Sequence, residues 1–262
     1  MPEIKIDAVI KIGGHALDNA EARASFMKQL FELQRMQKNI VLVHGGGPQI
    51  NDMLKRLGIP VAFHNGLRIT SPEILDVAEM ILCGQRNKEI LRMLIKTGIK
   101  SAAISGQDGK TIMATQKDPA LGRVGKITKI NTDLILSLLA GGFMPLLAPI
   151  GLDEKDEPIN INADTAAAWL AGALKADKLI LLSDVPGVLD KNGNLLPELN
   201  PEEIQELENN GIIHGGMIPK TEACLAAISN GCRAAEITDG RDDLNLLEML
   251  VNNKVYGTLV HL

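Results

Sequence analysis

Residues 40–51 read IVLVHGGGPQIN, a short apolar run that ends in three glycines and a proline. Glycine loses more conformational entropy on folding than any other residue, and a simple turn needs only one or two. Pro48 suits the first turn of a helix, because its φ is already fixed near the helical value. The stretch therefore predicts a strand, a glycine loop and a helix N-terminus, which together can bind an anion through free N–H groups and the helix dipole. The alternative is a long turn without a ligand.

The same succession of an apolar run, a glycine or aspartate, and a helix-like segment recurs along the chain. The apolar runs are AVIKI, NIVLV, SAAI, MPLLAPI, KLILLS and AAEIT. Nearly continuous apolar runs are typical of parallel strands that are covered on both faces. We therefore predict an α/β fold with an open, mainly parallel central sheet and helices on both faces. Ligands of such folds bind beyond the carboxyl ends of the strands, where these glycines and aspartates fall.

Two stretches depart from this alternation. Residues 101–130 are rich in Gly, Asp and Lys and predict hairpins at a sheet edge. Asn192-Gly193 is a strong signal for a hairpin turn. A fresh strand begins in KADKLILLSD, so we predict two lobes, residues 1–177 and residues 178–262.

Composition excludes several classes of protein. The formal net charge is -5 and only 2% of the residues are aromatic, and no basic stripe occurs, so a nucleic-acid partner is not expected. The three cysteines lack the spacing of metal ligands or of a disulfide framework, which indicates a cytoplasmic protein. No apolar stretch reaches the length of about 18 residues that a membrane-spanning helix needs, so no membrane partner is expected.

Two lysines and an arginine are candidates for binding an anionic ligand. Lys11 lies on a predicted strand that leads into Gly13-Gly14, whose N–H groups can point at an anion. Arg68, in NGLRIT, precedes a helix that Thr70 or Ser71 can cap, and it can grip a carboxylate bidentately. Lys220 stands near the start of a helix, where its charge opposes the dipole, and such a departure from a local rule suggests a functional demand. Taken singly, each could equally be a surface residue.

The segment NINADTAAAWL has two interpretations. Asp164 suits the N-cap of the Ala-rich helix, which is the structural interpretation. In the functional one, Asn160 and Asn162 bond a ligand while Asp164 pairs with the lysines. The five histidines show no metal-ligand spacing, and His44 is interpreted as structural rather than as a base.

Several motifs, in their order along the chain, resemble the acetylglutamate kinase branch of the amino acid kinase family. They are K-I-G-G, V-H-G-G-G-P, N-G-L-R-I-T, N-I-N-A-D-T-A-A, L-L-S-D-V-P-G-V-L-D and G-G-M-I-P-K, and the similarity extends from about Ile10 to Thr258. The resemblance implies an αβα sandwich and an enzyme of arginine biosynthesis. With ATP, it would phosphorylate the side-chain carboxylate of N-acetyl-L-glutamate. It also implies that the N-terminal lobe binds the acid and dimerises, and that the C-terminal lobe binds ATP.

The resemblance also implies roles for individual residues. Lys11 and Lys220 would stabilise the transferring phosphoryl group, and Asp164 would orient them. The expected acid contacts are Gly46, Gly47, Arg68 and Asn160. The expected nucleotide contacts are Gly13, Gly14, Asp184, Val185, Pro186, Gly187, Val188, Leu189, Ile212, Ile213, His214 and Met217. Mg²⁺ would be held mainly by ATP oxygens, since no carboxylate cage is evident in the sequence.

Other functions within reach of the same motifs are a related kinase acting on another acidic amino acid or on carrier-linked aminoadipate or glutamate, and a non-catalytic amino-acid sensor. We expect a homodimer that arginine does not inhibit. Nine residues precede Ile10, too few for the extra N-terminal helix of arginine-inhibited relatives. The expected dimer interface is the helix over 73–95, through Ile74, Val77, Met80, Ile81 and Leu82.

Overall fold

The computed structural model describes residues 4–13, 17, 19–64, 66–241 and 244–262. The strands in this part of the chain are β1 (Ala8–Ile12), β2 (Ile40–His44), β3 (Phe63–His64), β4 (Leu67–Arg68), β5 (Ser101–Ser105), β6 (Ile112–Gln116), β7 (Gly125–Ile130), β8 (Met144–Ala148), β9 (Ile150–Leu152), β10 (Pro158–Asn160), β11 (Lys178–Ser183), β12 (Glu198–Leu199), β13 (Ala235–Asp239) and β14 (Thr258–Val260).

The α-helices are α1 (Ala20–Arg35), α2 (Gly47–Leu57), α3 (Pro72–Glu79), α4 (Asn87–Lys96), α5 (Asp133–Ala140), α6 (Ala163–Ala173), α7 (Pro201–Asn209), α8 (Ile218–Ser229) and α9 (Leu246–Val251). A π-helix, Met80–Arg86, joins α3 to α4 without a break. Short 3₁₀ turns occupy Asp108–Lys110, Pro119–Leu121 and Gly215–Met217. None of the helices described is long and apolar enough to cross a bilayer.

An eight-stranded sheet forms the centre of the molecule, in the order β12-β14-β13-β11-β1-β2-β8-β5. The six strands from β13 to β5 are parallel, and β14 turns antiparallel against β13 at one edge. This arrangement confirms the prediction of an open, mainly parallel sheet. Every predicted apolar run contains or overlaps one of its strands.

Alternation along β1 distributes its side chains to two cores. Ala8, Ile10 and Ile12 pack on the face that α1, α4 and α9 cover. Val9 packs on the opposite face, with α6 and α8. Because successive side chains of a strand point to opposite faces, Lys11 shares the face of Val9 and points toward α6 and α8.

The stretch 101–130 was predicted as hairpins at a sheet edge, and this prediction is only half right. β5 is the edge strand of the main sheet and is parallel to β8. β6 and β7 do form a hairpin, but it belongs to a second sheet of order β10-β9-β6-β7. The turn at Asn192-Gly193 is confirmed, because Leu189 and Leu195 form an antiparallel bridge around it and Gly193 has a φ of 83°.

Three helix starts can be compared with their sequence signals. Pro48 lies in the first turn of α2 and Ser71 caps α3, as predicted. The N-cap of α6 is Asn162, whose side chain accepts from the Thr165 amide at 3.0 Å. The structural interpretation of Asp164 as the N-cap is therefore wrong. Asp164 is instead the second residue of α6, with its carboxylate free to pair elsewhere.

The dimer interface expected on helix 73–95 is not supported by the burial of its residues. Ile74, Val77, Ile81 and Leu82 are each at most 7% exposed and pack into a core with α2, so they are unavailable to a partner. Met80 alone among the five faces solvent, with 60% of its surface exposed. The amphipathic arc of this helix thus reflects intramolecular packing.

The main sheet continues across the predicted lobe boundary. β11, which begins at Lys178, pairs with β1 over four residues from Ala8 to Lys11. The two predicted lobes therefore share one hydrogen-bonded sheet, and the division into 1–177 and 178–262 stays a prediction.

Candidate active site

Three charged side chains from distant parts of the chain meet above the sheet. The Asp164 carboxylate lies with Oδ1 2.8 Å from Lys11 Nζ and Oδ2 3.0 Å from Lys220 Nζ. Lys220 donates a well-aligned hydrogen bond, whereas the Lys11 contact is an ion pair without hydrogen-bond alignment. One carboxylate thus holds two ammonium groups next to each other.

The fold explains why these residues meet. β1 points Lys11 toward α6 and α8, which pack against each other. Gly172 of α6 lies so close to Asn230, just after α8, that a Cβ atom would clash there. Asp164 and Lys220 lie in the first turns of these two helices. Asp164 is favoured by the α6 dipole, and it offsets the unfavourable place of Lys220 on α8.

The electrostatics of the cluster keep Asp164 ionised. Burial alone would raise the pKa of its carboxyl, because the charged form loses hydration. The positive charges of Lys11 and Lys220 more than reverse that effect and lower the pKa to about 2. Both oxygens of the carboxylate are therefore occupied by lysines at neutral pH.

A cleft of about 230 Å³ opens beside Lys11 and Asp164. Gly46, Gly47, Arg68 and Asn160 line it, so four expected acid contacts border one cavity. Its apolar wall includes Leu82, Val124, Pro149 and Ile161. A small cleft with a few convergent polar groups and an apolar wall is typical of a ligand site.

Arg68 is poised for an anion. It is 8% exposed, its Nη2 donates to the Gly47 carbonyl at 3.3 Å, and its guanidinium stacks 4.9 Å from the Phe63 ring centre. Nη1 is buried without a hydrogen-bond partner, and burial lowers the pKa of the group. An unpaired buried donor is costly, so a carboxylate in the cleft would satisfy it.

The glycines that were predicted to contact ligands differ in their surroundings. A Cβ at Gly46 would lie 2.7 Å from Leu82 Cδ2, the end of a flexible side chain, so a larger residue there would displace the Leu82 side chain. Gly47 opens α2, where the helix amides lack intrahelical partners and are available to an anion. A Cβ at Gly13 would lie 2.5 Å from the Leu182 carbonyl oxygen of β11, so close strand packing requires this glycine. Gly14 lies outside the described residues.

The expected nucleotide contacts follow β11 and precede α8, and their side chains are unequally accessible. Asp184 and Pro186 are exposed, and His214 is exposed with Nδ1 donating to the Ile212 carbonyl at 2.9 Å. Val188 and Ile213 are each 2% exposed and pack into the core. The core residues leave only backbone atoms for a ligand, and the Val188 amide already donates to Thr258 Oγ1.

Sequence reasoning missed Thr70, which is fully buried behind the cleft. It also missed the stacking of Phe63 on Arg68. The NGLRIT motif contains Thr70, but the sequence offered it only a capping role, which belongs to Ser71.

His44 is buried and neutral, as the structural interpretation expects. Burial is the main cause that lowers its pKa to about 4. Nδ1–H donates to the Gly45 carbonyl at 2.9 Å, and Nε2 accepts from Asn87 Nδ2 at 3.1 Å. Asn87 also donates to the carbonyl of Ile104, so this network joins β2, α4 and β5.

The buried neutral His44 predicts a pH dependence of stability. Its pKa is about 4 when folded and about 6.5 when unfolded, so the unfolded chain binds more protons below pH 6.5. Stability should therefore fall as pH falls from 6.5 to 4, by up to about 3 kcal/mol. Urea denaturation at each pH measures the free energy of unfolding.

Two variants serve as controls for that series. His44→Gln removes the titrating ring and should flatten the profile between pH 6.5 and 4, whereas His261→Gln should keep the wild-type slope. Parallel profiles for the wild type and His44→Gln would show that other groups cause the acid dependence.

No cluster of His, Cys, Asp or Glu within the described ranges could hold a metal ion. The nearest carboxylate to the cleft, Asp164, has both oxygens in contact with lysines. Within the described residues, the charged groups beside the cleft are thus two ammonium groups, one guanidinium and one carboxylate that the lysines already contact.

A parallel sheet with two paired ammonium groups near the carboxyl end of a central strand, beside a small polar cleft, is typical of a phosphotransferase that handles small anionic substrates. The model of the amino acid kinase family matches residues 8–239. The chain belongs to the amino acid kinase family.

Relatives of this chain within the family include several acetylglutamate kinases. The acetylglutamate kinase of Dinoroseobacter shibae is 47% identical over 89% of this chain and 81% of its own length. That of Ruegeria pomeroyi is 44% identical over 96% of this chain and 88% of its own. Among solved structures, smu.665 from Streptococcus mutans UA159 is 34% identical, with a TM-score of 0.85 over 97% of this chain and 98% of that one. Carbamate kinase from Giardia lamblia, bound to AMP-PNP, shares the fold at 19% identity and a TM-score of 0.68, over 97% of each chain.

Proposed function

We propose that this enzyme uses ATP to phosphorylate the side-chain carboxylate of N-acetyl-L-glutamate, giving N-acetyl-L-glutamyl 5-phosphate for arginine biosynthesis. The observation that carries the proposal is the ammonium pair of Lys11 and Lys220, held by Asp164 at the side of a cleft that contains Arg68. The relatives named acetylglutamate kinase support the same substrate.

Phosphoryl transfer to a carboxylate requires positive charge near the phosphoryl group and alignment of the two substrates, but it does not require a general base. A carboxylate is already ionised at neutral pH, so no proton has to be removed from the nucleophile. The transferring phosphoryl group spreads negative charge over its oxygens, and fixed cations stabilise it. In our proposal Lys11 and Lys220 supply those cations, while Asp164 keeps both in place.

The acid is proposed to bind in the cleft with its α-carboxylate on Arg68. The buried, unpaired Nη1 supports this assignment, since it lacks an acceptor. Gly46, Gly47 and Asn160 complete the polar lining, and the acetyl group would lie against the apolar wall.

ATP is proposed to lie on the C-terminal side, against the segments that follow β11 and precede α8. Two observations support this assignment: Lys220 lies in the first turn of α8, directly after one of these segments, and it does not line the acid cleft, whereas Lys11 does. The described residues offer no carboxylate cage, so Mg²⁺ is proposed to be held mainly by ATP oxygens. We also propose a cytoplasmic homodimer; the free thiols of Cys83, Cys224 and Cys232 agree with a reducing compartment.

The test is ADP release with Mg-ATP and N-acetyl-L-glutamate, with glutamate, aspartate and UMP as controls. Hydroxylamine in the same assay should trap the acyl phosphate as a hydroxamate. Turnover with N-acetyl-L-glutamate far above the three controls is expected. Faster turnover of one of the controls would assign the cleft to a different substrate. No turnover with N-acetyl-L-glutamate or any of them would contradict the proposed kinase activity.

Arg68→Lys should raise the Michaelis constant for the acid by about tenfold or more, because a lysine cannot reproduce the bidentate fork of a guanidinium. The constant for ATP should stay nearly unchanged. Steady-state kinetics with each substrate varied in turn measure both. Arg56→Lys is the control, since Arg56 pairs with Asp52 at 2.7 Å and does not line the cleft. A change confined to the Michaelis constant for ATP would contradict the proposed contact between Arg68 and the acid.

A further inference from the structure

Thr70 joins two sides of the acid cleft through one buried hydroxyl. Its Oγ1 donates to the Arg68 carbonyl at 2.8 Å and lies 3.2 Å from Asn160 Nδ2. Arg68 and Asn160 lie 92 residues apart in the chain and border the same cleft. Thr70 itself is fully buried and does not line the cleft.

The backbone around Thr70 is firmly held. Its amide donates to the Leu121 carbonyl at 2.9 Å, and its carbonyl accepts from the Arg123 amide at 2.7 Å. The Arg123 carbonyl in turn accepts from the Asn160 amide at 2.9 Å. Gly122, with a φ of 68°, packs so closely on Thr70 that a side chain there would clash. The hydroxyl therefore stands at a fixed point relative to Asn160.

The number of protons on that hydroxyl decides how Asn160 is oriented. A hydroxyl has a single proton to donate, and the Arg68 carbonyl, which can only accept, takes it. Toward Asn160 the hydroxyl can then only accept, so it must face the Nδ2 end of the amide. The carbonyl oxygen Oδ1 of Asn160 is left for the cleft.

We propose that Thr70 is a positioning residue that fixes the Asn160 amide with its acceptor available to the bound acid. The cleft then selects an acid with an N–H group beside the α-carboxylate. This inference rests on the proposed function, and it explains why the enzyme would prefer an N-acyl amino acid. Without the Thr70 hydroxyl, the side-chain amide of Asn160 can rotate by about 180°, so that either Oδ1 or Nδ2 faces the cleft.

The experiment compares N-acetyl-L-glutamate with 2-acetoxyglutarate, in which an ester oxygen replaces the N–H group. Calorimetry without nucleotide gives the dissociation constant of each acid. The wild type should bind the amide roughly tenfold more tightly, since the ester leaves the acceptor unpaired. Thr70→Val should reduce this ratio to about twofold, and Thr70→Ser should restore it.

Thr111→Val is the matched control. Thr111 is also fully buried, and its hydroxyl donates to the Asp108 carbonyl at 2.6 Å, away from the cleft. This variant should keep the wild-type ratio. A general loss of packing would weaken both acids alike and leave their ratio unchanged.

The outcomes distinguish a failure of the proposed function from a failure of the proposed role of Thr70. If the wild type fails to phosphorylate N-acetyl-L-glutamate, the proposed function is wrong. If it does so but binds amide and ester equally, the role of Thr70 is wrong, whether or not Thr70→Val folds. An unchanged ratio in a folded Thr70→Val protein would also overturn it.

Discussion

Replacing Lys220 with alanine is expected to lower kcat by about 10²–10³-fold, the loss typical of one preorganised donor to developing charge. The Michaelis constant for the acid should change little, because Lys220 does not line the acid cleft. Steady-state kinetics with N-acetyl-L-glutamate and Mg-ATP measure both quantities.

The loss should be specific and partly reversible. An alkylammonium ion such as ethylammonium, added to Lys220→Ala, should restore part of the activity by placing a cation beside Asp164. Lys126→Ala, at an exposed position of β7, is the control and should behave as the wild type. Near-normal turnover in Lys220→Ala would remove this lysine from the mechanism.

Asp164→Asn is expected to have the larger effect, with kcat reduced by about 10³-fold or more. The neutral amide can no longer hold two ammonium groups, so both donors lose their alignment and repel each other. Removing the charge that pairs two largely buried cations should also lower the free energy of unfolding by about 3 kcal/mol. Urea denaturation and kinetics on the same preparation measure both effects.

Asp7→Asn separates stability from catalysis. Asp7 is also largely buried and pairs with Lys38 at 2.8 Å, outside the cleft. Its replacement should cost stability while leaving turnover nearly intact. If Asp164→Asn lost no more turnover than Asp7→Asn, the lysine cluster would be a structural feature rather than the phosphoryl site.

The parallel strands of the central sheet could be predicted because each is a nearly continuous apolar run, which is the pattern required of strands covered on both faces. Five of the six are buried along almost their whole length, and the edge strand β5 is partly buried. The side of β1 on which Lys11 lies follows from alternation alone. Its meeting with Asp164 and Lys220, however, depends on how α6 and α8 pack. The sequence offered the pairing of Asp164 with the lysines as one of two interpretations, and the resemblance to a known family favoured it over the N-cap.

The errors have local causes. Asn162 and Asp164 are both good N-caps, and the sequence does not say which one begins the helix. The apolar arc from Ile74 to Leu82 looked like a subunit interface, because periodicity shows which face is apolar but not what covers it. Thr70 was overlooked because its role depends on a residue far away in the chain.

The π-helix at Met80–Arg86 lies between α3 and α4 and borders the cleft through Leu82. Its hydrogen bonds span five residues instead of four, so the segment holds about one residue more than an α-helix with the same rotation would. A one-residue deletion can therefore be absorbed by a return to α-winding, which keeps α4 near its present orientation relative to α3. The contact of Asn87 with His44 would then persist, whereas Leu82, inside the segment, would move away from Gly46. A deletion in this segment would thus reshape the wall of the cleft without breaking the helix, whereas substitutions at the exposed Met80 should leave that wall unchanged.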